Sequence, residues 1–182
     1  TTNYDKLIEK SLTEAGKISD TKYRVKQLSF TKRGRDAVVY KMHGDIDNPD
    51  EAVITKDDYE NYHVKMQPFI NALSGDLVSK TFLFLGFSFT DPNLDYILSR
   101  VRISYSNDQR QHYCIQKLVA PTTDASQADT EYKIRKQELF IQDLLRFGIK
   151  TILVSDYSEI TDILHQLEWA YRRKTIFLSG SA

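Results

Sequence analysis

The sequence predicts an α/β protein built on a mainly parallel sheet with helices on both faces. Two observations predict it. Segments rich in β-branched and aromatic residues alternate almost throughout with segments whose apolar residues recur at helical spacing. That order gives parallel strands joined by right-handed crossovers. The most apolar run, Thr81 to Phe87, lacks polar alternation, as expected of a central parallel strand covered on both faces. No internal repeat is present.

Taken in order, Leu7, Ile8 and Leu12 share a helical face between Asp5 and Glu14, and Gly16 is placed to end that helix. Tyr23 to Phe30 alternates polar and apolar residues and predicts a strand, and the charged segment Lys32 to Asp36 a solvated turn. Ala37 to Ile46 predicts a short buried strand that carries His43 and Gly44 to its C-terminal end. Thr55 caps a helix with Asp57 and Asp58 in its first turn. That helix runs through Tyr59, Tyr62, Met66, Phe69, Ile70 and Leu73 to Gly75, with Pro68 as a kink or break.

After the Thr81 to Phe87 strand, Asp91 as N-cap and Pro92 at the first helical position open a helix bearing Leu94, Ile97, Leu98 and Val101. A polar turn over 106–111 and a strand from His112 to Val119 follow, and then Ala120 to Asp129 predicts a mobile surface loop. A helix over Thr130 to Phe147 closes at Gly148, and Ile149 to Val154 is a buried strand. Ser158 caps a last helix whose face carries Ile160, Ile163, Leu164, Leu167 and Tyr171, with Arg172, Arg173 and Lys174 complementing its C-terminal dipole. Thr175 to Ala182 predicts a strand followed by a Gly/Ser turn.

Composition excludes several classes. The 25 Lys and Arg side chains balance 25 Asp and Glu, leaving no electrostatic footprint for nucleic acid or an anionic membrane. A single cysteine, Cys114, permits neither an internal disulfide nor a cysteine-based zinc site, and fits a reducing compartment. No apolar run approaches the roughly 20 residues of a spanning helix and no signal peptide is visible, so the expected location is the cytoplasm. The start at Thr1 without a methionine and the terminal Gly/Ser turn lead us to expect a fragment of a longer chain.

Three segments carry candidate chemistry, all at the C-terminal rim of such a sheet, where open α/β folds bind ligands. They are Thr2-Asn3-Tyr4-Asp5, His43-Gly44-Asp45 and Gly86-Phe87-Ser88. A histidine can exchange protons near neutral pH, Gly44 allows a sharp turn or close approach, and a Gly/Ser pair opening a helix suits phosphate or ribose oxygens. The acidic stretch Asp45 to Glu51 is not a calcium loop. Counted from Asp45, the sixth and twelfth positions hold Asp50 and Lys56 instead of Gly and Glu.

Together, TTNYD, then YKMHGDI from Tyr40 to Ile46, then LFLGFSFTDPNL resemble the SIR2-like nicotinamide-nucleotide domains, in particular their bacterial antiviral NAD-consuming branch. The terminal RRKTIFLSGSA resembles the junction into a SLOG-type sensor domain. The resemblance covers most of the chain. It implies a Rossmann-like domain over 1–174 lacking its N-terminal part, with a small helical insertion at about 48–80, and the start of a SLOG-like domain at 175–182. It implies cleavage of the bond between nicotinamide and ribose, with NAD+ as substrate and no metal. Asn3 then matches the asparagine that holds the ribose and positions the attacking water, and His43 the catalytic histidine. Asp5 matches the acid near the carboxamide, and Gly86 and Ser88 the segment contacting ribose and phosphates. A cationic, oxocarbenium-like transition state is stabilised by such neutral and anionic groups. A cyclic ADP-ribose-type signal acting through the SLOG domain and a homo-oligomer are further implications.

Two departures bear on the activity. Deacetylases of the family carry a four-cysteine zinc ribbon after the His-Gly motif, whereas Asn48 to Lys80 holds no cysteine and reads helical. That favours hydrolysis of the dinucleotide itself. The family's glycine-rich phosphate loop would lie before Thr1. Two rival readings stand beside this one. Gly86-Phe87-Ser88-Phe89-Thr90 half-matches a serine-hydrolase elbow, with His112 or His165 as base, but Thr90 replaces the last glycine. The other is a non-catalytic nucleotide-binding or oligomerisation module, for which the Phe/Tyr-rich helical insertion offers contact surface.

Overall fold

The computed structural model describes residues 1–105, 108–121 and 126–179, with side chains to Arg173. The α/β class is the one observed, with parallel sheets flanked by helices. The chain divides into two compact units, Thr1–Val78 with Phe89–Val101, and Ser79–Ser88 with Arg102–Ala182.

The first unit holds helix α1 (Leu7–Glu14) and two parallel strands, β1 (Ser19–Lys22) and β2 (Ala37–Tyr40), in register from Ser19 opposite Ala37 to Lys22 opposite Tyr40. The segment Tyr23 to Phe30, expected as a strand, is a correction. The strand lies just before it, and Val25–Ser29 is a 3₁₀ turn. The Gln27 carboxamide oxygen causes this by accepting the backbone N–H groups of Tyr23 and Arg24, both at 2.8 Å, which bends the chain out of the ladder. Strand β1 escapes a hydrophobicity search because its inward residues are charged. Asp20 and Lys22 are buried as an ion pair at 2.9 Å, and the remaining valences go to Lys32 N–H and Phe30 C=O.

Beyond β2 the chain turns instead of continuing as strand to Ile46. The single helix expected from Thr55 is three, α2 (Lys56–Glu60), α3 (Tyr62–Lys65) and α4 (Gln67–Ser79). Thr55 does cap the first, exchanging hydrogen bonds with Asp58 in a capping box. Pro68 sits in the first turn of α4, where a missing N–H costs nothing, and Gly75 lies inside that helix, which continues to Ser79. Phe69 on α4 meets the Tyr40 ring edge-on, and Tyr62, Phe69, Ile70 and Leu77 are buried. Helix α5 (Pro92–Tyr105) starts where the Asp-Pro pair predicts and buries Ile97, Leu98 and Val101.

In the second unit, β3 (Leu83–Phe84), β4 (His112–Lys117) and β5 (Ile149–Val154) form a parallel sheet in the order β3-β4-β5. The expected central strand Thr81 to Phe87 is thus a two-residue strand at the side of this sheet, and β4 is its middle. Gly86 with φ 61° bends the backbone out of the ladder almost at once, so apolar character there outruns strand length. Helix α6 (Gln127–Arg146) begins before the expected Thr130, because the Ser126 hydroxyl accepts the Asp129 N–H. The remaining part of that expected loop, 122–125, and residues 106 and 107 of the expected turn lie outside the described residues. Helix α7 (Glu159–Ser179) runs through Thr175 to Leu178, where a strand was expected; helical continuation overrides the local β-propensity of Thr175, Ile176 and Phe177. The final three residues lie outside the described ones.

Candidate functional site

The N-terminal residues run along the end of β2. Thr1 N–H donates to Tyr40 C=O at 2.9 Å, Met42 N–H donates to Thr1 C=O at 2.9 Å, and Ile46 N–H donates to Tyr4 C=O at 3.0 Å. These bonds set Thr1 opposite Lys41 in a parallel sense, so the Asn3 and His43 segments leave the same strand end side by side. A wholly buried ammonium locks them. Lys41 Nζ, 0% exposed, donates to the carbonyls of Tyr4 (2.8 Å) and Asp5 (2.6 Å) and to Asp45 Oδ2 (2.7 Å), with Glu9 Oε1 at 3.4 Å. Burial alone would raise the Asp45 pKa, but the Lys41 hydrogen bond and charge outweigh it and hold the carboxyl below its ordinary value.

His43 is 5% exposed. Its Nε2 lies 2.9 Å from Asp91 Oδ2, and its Nδ1 lies 3.5 Å from the Tyr59 hydroxyl. Tyr59 and Tyr62 meet the imidazole edge-on, with centroids 5.3 and 5.8 Å away. The Tyr62 hydroxyl is occupied by Met42 C=O at 2.9 Å, and burial pushes its pKa well above the tyrosine range. Burial, together with the neighbouring Tyr4 and Asp91, raises Tyr59 as well. Asp91 is a forked carboxylate. Oδ1 accepts the N–H groups of Asn93 (2.9 Å) and Leu94 (3.2 Å) at the start of α5, while Oδ2 faces His43. Burial works to raise the Asp91 pKa, and the bonds from His43, Leu94 and Asn93 prevail, so it is lowered.

Gly44 has φ 99°, and a Cβ there would come within 2.9 Å of Ala52 Cα. The glycine is needed for close approach of the chain's own backbone, with Val53 N–H donating to His43 C=O at 2.9 Å. Asn3 is exposed. Asp5 is half-buried, and its Oδ1 accepts the Leu7 N–H at 2.9 Å, a helix-start role alongside any contact with a ligand. Gly86 and Ser88 are exposed and belong to the second unit, at the end of β3, where Gln116 Nε2 reaches Phe87 C=O at 3.4 Å. Among the described residues, no cluster of three or more His, Cys, Asp or Glu is placed to hold a metal. The structure thus brings together the Asn3, Asp5 and His43 segments and adds Asp91, Tyr59 and Lys41. Asp91 was legible only as a helix cap. Its second oxygen had no local signal, because its partner lies on a distant strand end.

The profile of the SIR2-like domain matches residues 1–139. The chain is 66% identical over 182 residues to the NAD(+) hydrolase ThsA of Bacillus cereus (strain MSX-D12), and 57% identical over 182 residues to that of Acinetobacter baumannii (strain 532279). It is 50% identical over 189 aligned positions to the NAD(+) hydrolase ThsA of Enterococcus faecium. In each case all of this chain is covered, but only 38%, 38% and 40% of the relative's own length.

Proposed function

The chain belongs to the SIR2-like domain family, and from that premise we propose that the intact protein is an NAD+ hydrolase. It cleaves the nicotinamide–ribose bond to give nicotinamide and ADP-ribose, depleting NAD+ in bacterial antiphage defence of the Thoeris type. The observation that carries this reading is the alignment of the whole chain with relatives named NAD(+) hydrolase at 50–66% identity.

The chemistry asked of the residues is modest. The C–N bond breaks with its electron pair passing to the nicotinamide ring nitrogen, which neutralises the pyridinium. A water oxygen bonds to the ribose carbon, and its proton passes to the His43 imidazole. Asn3 holds the ribose and this water through its amide. Asp5 lies near the carboxamide, and Gly86 and Ser88 take ribose and phosphate oxygens. Hydrolysis rather than deacetylation is favoured because the stretch from Asn48 to Lys80 contains no cysteine for a zinc ribbon. A following SLOG-like sensor from about residue 175, a cyclic ADP-ribose-type activator, a homo-oligomeric state and a cytoplasmic location complete the reading; no described helix is long and apolar enough to cross a membrane.

A second reading, a nucleotide-binding or oligomerisation module without turnover, is favoured by one observation, the near-complete burial of the His43 ring. The full-length protein, incubated with NAD+ and a cyclic ADP-ribose-type activator, separates the two. Nicotinamide release that vanishes in Asn3→Ala and His43→Ala, with circular dichroism unchanged, supports the hydrolase. Binding without release supports the module, and undiminished release by His43→Ala removes the mechanism.

A further inference from the structure

A neutral imidazole carries one N–H and one lone pair, and which nitrogen holds which is set by the partners. Here Nε2 faces Asp91 Oδ2 at 2.9 Å, while Asp91 Oδ1 is already taken by two helix N–H donors. An ionised carboxylate only accepts hydrogen bonds, so the proton must sit on Nε2. The lone pair is then on Nδ1, whose one polar neighbour among the described contacts is the Tyr59 hydroxyl at a long 3.5 Å. The ring is held edge-on by Tyr59 and Tyr62, and the carboxylate is anchored to the first turn of a 14-residue helix. Both the tautomer and the plane of the imidazole are therefore fixed before any ligand arrives.

We propose that Asp91 is the positioning residue of this site: it pins His43 as the Nε2–H tautomer and leaves Nδ1 as the nitrogen that receives the proton of the attacking water. This rests on the hydrolase reading for its consequence, though not for the tautomer itself. Asparagine at position 91 can keep the helix cap, since Asn and Asp cap about equally well. With its oxygen on the Asn93 and Leu94 N–H groups, its NH₂ would face Nε2, force that nitrogen to accept, and move the ring proton to Nδ1. The same logic operates in the Ser-His-Asp triad, where the Asp-to-Asn change costs about 10⁴ in kcat.

The test compares full-length native protein, Asp91→Asn and His43→Ala. For Asp91→Asn we expect kcat for nicotinamide release to fall roughly 10²–10⁴-fold with KM for NAD+ little changed. The nitrogen-15 spectrum of Asp91→Asn should show the His43 ring proton moved from Nε2 to Nδ1, a signature that loss of a mere helix cap would not produce. Unchanged kcat in Asp91→Asn, when His43→Ala has lost release, overturns the proposal and spares the hydrolase. If His43→Ala retains release, the hydrolase mechanism falls instead. A nitrogen-15 histidine spectrum of the native protein, with His43 assigned by its absence in His43→Ala, then decides alone. A proton on Nε2 sustains the proposal, and one on Nδ1 overturns it.

Discussion

Lys41 is the residue on which the strand end depends. An ammonium with no exposure survives only because two carbonyls and the Asp45 carboxylate replace its water, with Glu9 close by. Lys41→Ala strands Asp45, itself 2% exposed, without its cation. We expect a loss of about 3–5 kcal/mol in urea unfolding, the range for breaking a buried pair from one side. A loss under about 1 kcal/mol, the scale of surface pairs, would mean that the ammonium does not hold the segment. Lysine on a strand is ordinarily a solvated side chain, so the burial of Lys41 has no local signal; it is set by carbonyls of Tyr4 and Asp5 that arrive from a remote part of the chain.

At the scale of elements, the turn after β2 and the end of β3 each hinge on a glycine, for different reasons. Gly44 at φ 99° also faces Ala52 Cα at 2.9 Å, whereas Gly86 at φ 61° has open space where a Cβ would go. Gly86→Ala therefore carries only the left-handed backbone cost of roughly 1–2 kcal/mol. Gly44→Ala adds backbone overlap that no rotamer relieves, so its drop in denaturant midpoint should be clearly the larger. Equal drops would show that the Ala52 contact relaxes freely. The Gly44 position was legible as a sharp turn. That its close neighbour is the protein's own backbone required knowing where Pro49 to Glu51 fold back as a 3₁₀ turn.

Over the whole molecule, equal numbers of acidic and basic residues conceal several carboxylates held below their ordinary pKa by partners, among them Asp20, Asp45 and Asp91. For a depressed folded-state pKa, the stabilisation is fully present above the unfolded value near 3.8 and is lost as pH falls through the folded value. The denaturant midpoint should thus be flat near neutrality and fall progressively below about pH 4–5, where the unfolded chain binds protons that the folded chain resists. A midpoint unchanged between pH 6 and pH 3 would contradict the buried pairs. The α/β class was legible because periodicity and alternation are properties of whole segments, and the Asp91-Pro92 helix start because its signal is local. Strand lengths were not. The apolar run at Thr81 to Phe87 yields two strand residues, whereas the polar Ser19-Asp20-Thr21-Lys22 forms four.

The amino-acid order by itself determined the class of fold and the start of α5, because periodicity and capping are written in neighbouring residues. Only the tertiary structure decided that Lys41 lies under the site and that Asp91 turns its second oxygen to His43. Both are pairings between groups remote in the chain, and each becomes favourable only after burial has removed the water that either group would otherwise prefer.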